Sequence, residues 1–137
     1  MVETSTFAPN VLAVLASPEA CDHVSDLPNA GRVAPDEVVL VGDVSVTAIE
    51  RAVRLVDHDA VVMTVSDGWA GIVVEGDGAH DVFARESELV LPAFGFVQGD
   101  VAGTRARVFV DGDRIELLVP AMVADHVRAR IEAGVHR

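Results

Sequence analysis

Three short β-branched runs constrain this chain more than any other feature: Glu37–Gly42 (EVVLVG), Ala60–Val65 (AVVMTV) and Trp69–Glu75 (WAGIVVE). Each has strand length and is bounded by turn residues, so each reads as a buried strand. Between the first two, Thr47–Val56 places Ile49, Ala52, Val53 and Val56 on one helical face, with Ser45 or Thr47 available as cap. Ser66-Asp67-Gly68 reads as a tight hairpin turn between the other two, because Asp and Gly accept the backbone such a turn demands.

The pattern continues with a helix over Asp77–Arg85, an irregular stretch over Ser87–Val101, and a hairpin of Thr104–Val110 and Arg114–Val119 around Asp111-Gly112-Asp113. Pro120 then opens a last helix, with Val123, Val127 and Ile131 as its core stripe and Gly134 as its stop. The order β-α-β-β-α-β-β-α is not a βαβαβ alternation, which disfavours a doubly wound nucleotide-binding sheet. It predicts an α+β fold: a largely antiparallel sheet with helices packed on one face, a ferredoxin-like βαββαβ core, and a C-terminal β-hairpin and helix.

Residues 1–35 read differently. Met1–Asn10 looks like a tail, and Pro9, Pro18, Pro28 and Pro35 punctuate the stretch up to Asp36, so long elements are not expected there. The expectation is a loosely structured arm over residues 1–35, with short helical pieces near Val11–Ala16 and Pro18–Val24, and a single α+β domain over 36–137. Asp36–Leu55 and Asp113–Ala133 echo one another: each is an acidic residue, an aliphatic strand, a short connection and an amphipathic helix.

Half of the 137 residues are hydrophobic but only 4% are aromatic, so the core is built from Val, Leu, Ile and Ala. The chain carries a net charge of −12, and all its basic residues are arginine. That balance argues against binding phosphate backbones or anionic membranes. The apolar run Val11–Ala16 is too short for a signal sequence core or a membrane span, which predicts a cytoplasmic protein.

Motifs for chemistry are sparse. His23, His58, His80, His126 and His136 form no metal-ligand spacing. Gly76-Asp77-Gly78 lacks the third glycine and the lysine of a phosphate loop and reads as a strand-to-helix turn. Cys21 is the one cysteine, has no basic neighbour in sequence, and reads as an inert, partly buried residue. No nucleophile elbow is present. One feature stands out: Leu89–Val97 (LVLPAFGFV) is apolar for a connection, and such a segment either marks a contact with another protein or folds its Phe pair back on the core, just as Trp69 either joins that contact or caps the sheet. Trp69, Leu91, Phe94 and Phe96 are therefore the candidate subunit interface, and no catalytic, cofactor-binding or metal residues are assigned.

VAPDEVVLVGD (Val33–Asp43), AVVMTVSDGWAGIVVEGDGAHDVFARESELVL (Ala60–Leu91) and IELLVP (Ile115–Pro120) resemble, in order and spacing, the gamma subunit of heterotetrameric sarcosine oxidase. The resemblance covers roughly the last three quarters of the chain, and Val65–Ala70 is its most specific part. The wider relatives are folate-binding domains of the glycine-cleavage aminomethyltransferase type. The sequence departs from the family at Gly76-Asp77, where Gly-Pro is common, and at Ala121-Met122, where a basic or hydroxyl pair comes after the L-V-P.

The resemblance implies a subunit without a redox cofactor or active site of its own. FAD, FMN, NAD and tetrahydrofolate would belong to larger alpha-type and beta-type partners, and zinc to a small delta-type subunit. That complex demethylates sarcosine oxidatively to glycine and passes the one-carbon unit to tetrahydrofolate. Two rival expectations stand beside it: a stand-alone folate-binding or one-carbon transfer protein, and a homodimeric scaffold paired through the same apolar loop.

Overall fold

The computed structural model describes residues 1–136. The chain forms two compact units. One is continuous, Pro9–Ser66. The other is discontinuous, Met1–Ala8 together with the residues from Asp67 on. The fold class is α+β with antiparallel sheets, as the element order predicts; the strands are shared between two sheets, one in each unit.

The continuous unit runs β2 (Val11–Leu15), α1 (Pro18–Asp22), β3 (Ala30–Ala34), β4 (Glu37–Val41), α2 (Val46–Arg54) and β5 (Val61–Thr64). Its sheet order is β3-β4-β2-β5, all neighbours antiparallel. That is a complete ferredoxin-like βαββαβ. Leu12, Val14, Val38 and Leu40 alternate onto one sheet face and meet Ile49 and Val53 of α2 and Cys21 of α1 in one core. Alternation sets the register, since a one-residue slip would turn the whole set outward. Both helices begin at a serine: Ser17 Oγ accepts from Ala20 N–H and Ser45 Oγ from Ala48 N–H, each at 3.2 Å. Pro18 occupies the first turn of α1, where its missing N–H costs nothing.

The discontinuous unit consists of β1 (Glu3–Phe7), β6 (Trp69–Glu75), α3 (Ala79–Ala84), β7 (Phe94–Val101), β8 (Thr104–Asp111), β9 (Arg114–Pro120) and α4 (Ala124–Val135). Its sheet order is β1-β6-β9-β8-β7. Ile72, Val74, Val108, Val110, Ile115, Leu117 and Val119 face α3 and α4, whose Val82, Phe83, Val127 and Ile131 complete the core.

The two sheets share a plan. In β5-β2-β4-β3 and in β1-β6-β9-β8, a central strand leads into a helix, then a hairpin, then a second helix, with the edge strand β7 inserted between α3 and the hairpin in the second. β1, drawn from the N-terminus, stands beside β6 as β5 stands beside β2. The echo between Asp36–Leu55 and Asp113–Ala133 therefore falls on equivalent pieces, β4-α2 and β9-α4.

Several expectations are corrected. Residues 1–35 are not a loose arm: they supply three strands and a helix, and Val11–Ala16 is strand rather than helix. Five aliphatic residues between prolines are compatible with either state, and pairing with both β4 and β5 selects the strand. The irregular stretch ends in an eight-residue strand, β7, because β8 offers a complete partner from Phe94↔Asp111 to Val101↔Thr104. Ser66–Gly68 is a 3₁₀ turn, and the strands on either side of it enter different sheets, so it closes no hairpin. Gly134 lies inside α4 and is buried; a Cβ on it would lie 3.7 Å from Val82 and 3.8 Å from Arg85. Those are ordinary van der Waals distances, so the position has room for a Cβ, and the helix runs on through it to Val135 rather than stopping there.

Candidate functional site

The sheet face of the discontinuous unit that turns away from α3 and α4 collects most of the unusual side chains. Trp69 and Gly71 of β6, Leu118 of β9, Arg107 and Phe109 of β8, and Phe94 and Phe96 of β7 alternate onto it. The Arg107 guanidinium lies over the Trp69 ring, 4.2 Å from its centroid. Phe96 and Phe109, directly opposite on neighbouring strands, pack tilted at 55° with centroids 5.0 Å apart. The Phe7 ring of β1 sits over Gly71, where any side chain would collide with it.

The four expected interface residues do not form one patch. Trp69 is half-buried on β6, separated from β7 by β9 and β8. Leu91 is half-buried against the helix-side core. Phe96 is engaged by Phe109. Phe94 is the one that faces solvent, 70% exposed, and Val90, not singled out by sequence, is 89% exposed. The connection carrying them is anchored at both ends. Ser87 Oγ donates to Asp100 O at 2.7 Å and accepts from Leu89 N–H at 3.1 Å; Gly112 N–H donates to Ala93 O at 2.9 Å. Leu89 fills the space over Gly99. Held this way, the loop presents Val90 and Phe94 as fixed apolar projections.

At the root of that loop lies an open cleft of ≈ 790 Å³ between the end of α3, the β7–β8 turn and α4. Glu86 lines it. Its side chain is only 2% exposed and ion-paired to Arg130 Nη2 at 3.1 Å through Oε2. Its Oε1 has no hydrogen-bond partner among the described residues. Sequence reasoning missed Glu86. The available signal was its place just past a helix C-terminus, where the helix dipole disfavours an anion.

Other sequence candidates prove structural. His80 Nε2 bonds the Gly112 carbonyl at 2.7 Å, tying α3 to the β8–β9 turn. Gly78 precedes α3 with positive φ, as a strand-to-helix turn requires. Cys21 is fully buried and its thiol points at the Ala16 carbonyl; desolvation pushes its pKa up, against the opposing pull of Arg32. Arg32 binds Asp22 and the Pro18 and Pro35 carbonyls, clamping α1 to the β3–β4 turn; the Asp22 hydrogen bond raises its pKa. Among the described residues no three His, Cys, Asp or Glu side chains are grouped to hold a metal ion, and no helix is long and apolar enough to cross a membrane.

No family model and no curated protein matches the sequence. Solved structures do. A chain of the heterotetrameric sarcosine oxidase from Corynebacterium sp. U-96 matches over 97% of this chain and 83% of its own, with a TM-score of 0.75 and 15% identity. The regulatory subunit of aspartate kinase from Thermus thermophilus matches over 98% of this chain and 99% of its own, at 0.54 and 10%. A putative C-terminal regulatory domain of aspartate kinase from Porphyromonas gingivalis W83 covers 100% and 99%, at 0.51 and 12%. At these identities the likeness is one of fold: this chain has the α+β architecture of a sarcosine oxidase chain, with a lesser likeness to aspartate kinase regulatory domains.

Proposed function

We propose that this chain is a non-catalytic, gamma-type subunit of a multi-subunit, flavin-dependent oxidase of the sarcosine oxidase type, acting in the cytoplasm. The observation that carries the reading is the fold likeness to a chain of heterotetrameric sarcosine oxidase across 97% of this sequence. The V-S-D-G-W-A segment (Val65–Ala70) supports it independently. In this reading flavin, NAD and folate chemistry belong to larger partners, which remove the methyl group of sarcosine and pass the carbon to tetrahydrofolate. This chain packs on the alpha-type partner through Phe94 and its neighbour Val90, with Phe96, Leu91 and Trp69 as supporting residues. Exposed aromatic and aliphatic anchors beside a rigid sheet suit such a contact.

The test is affinity capture of the tagged chain from its native cytosol, with a visible absorption spectrum of the eluate. A yellow eluate containing much larger subunits is expected. A colourless, solitary chain under gentle, salt-matched conditions overturns the reading.

A second reading is a regulatory module for an amino-acid kinase, favoured by the likeness to the aspartate kinase regulatory subunit. Its lower TM-score, 0.54 against 0.75, places it behind the first. Co-purification of a colourless kinase would bring it forward.

A further inference from the structure

We draw no further inference here: the strongest candidate, the exposed apolar patch of Leu15, Val61 and Met63 on the paired strands β2 and β5 at the β5 edge of the continuous unit's sheet, carries nothing because nothing in the structure shows what covers it.

Discussion

Arg107 of β8 covers Trp69 of β6, its guanidinium 4.2 Å from the ring centroid, although β9 runs between their strands. The contact ties the two sides of the sheet on the face away from the helices. Arg107→Gln should cost about 0.5–1 kcal/mol, the range for a cation–π pair that is partly exposed. Trp69 emission should shift in the folded variant, because its ring loses a neighbouring charge. Equilibrium denaturation followed by tryptophan fluorescence reads both, and an unchanged spectrum and midpoint would remove the contact's role.

Phe94 and Phe96 should separate in their effects. Phe94→Ser removes a side chain that is 70% exposed and should leave stability within about 0.5 kcal/mol of wild type. Phe96→Ser breaks the tilted pair with Phe109 and should cost about 1 kcal/mol or more. Under the subunit proposal, Phe94→Ser alone should release the chain from its partner. Thermal melts beside co-purification test the pair: undiminished capture of Phe94→Ser excludes that residue as an anchor.

Gly71 has no side chain because Phe7 occupies its place. Gly71→Ala should push the Phe7 ring aside and loosen β1, costing about 1–3 kcal/mol as overpacking does. Phe7→Ala in the same chain should recover part of the loss, since the two residues share one volume. A double-mutant cycle by urea denaturation measures the coupling; strict additivity would show that the contact is relieved without strain.

Cys21 supplies a pH dependence. Burial raises the thiol's pKa above its ordinary value of 9.0, so the folded state holds its proton more tightly than the unfolded chain. The stabilisation is complete below the unfolded value and is lost as pH rises through the folded one. Stability should therefore decline from about pH 9 upward, and Cys21→Ala should flatten that decline. Alkylation of the native thiol at about pH 8 should be slow and become fast in denaturant. Rapid native alkylation would contradict the burial.

Legibility tracked local pattern. β4, α2, β5, β6, β8 and β9 lie close to where the aliphatic runs and helical spacing place them. β1 (ETSTF) is polar and half-exposed, and becomes a strand only because β6 offers an edge. β7 holds Gly95 and Gly99 and comes after Pro92, a composition that reads as loop until β8 pairs with it. Of the interface candidates, the apolar character of Leu89–Val97 was legible, but which of its residues face out was not. Leu91 turns to the core while Val90 turns to solvent, a distinction set by packing. The place of Glu86 just past a helix C-terminus was a local signal, but its burial and its pairing with Arg130, far along the chain, were not legible.

The sequence by itself determined the α+β class, the aliphatic core, and the β-α echo that lands on β4-α2 and β9-α4. These depend on side-chain periodicity and capping, which act over a few residues. Only the tertiary structure decided that Pro9–Ser66 forms a unit of its own between β1 and β6, and that the N-terminal residues complete the second sheet. Strand partnership is a choice among edges brought together by the whole chain. Backbone hydrogen bonds form equally well with a near or a distant partner, so local pattern carries no record of which partner was taken.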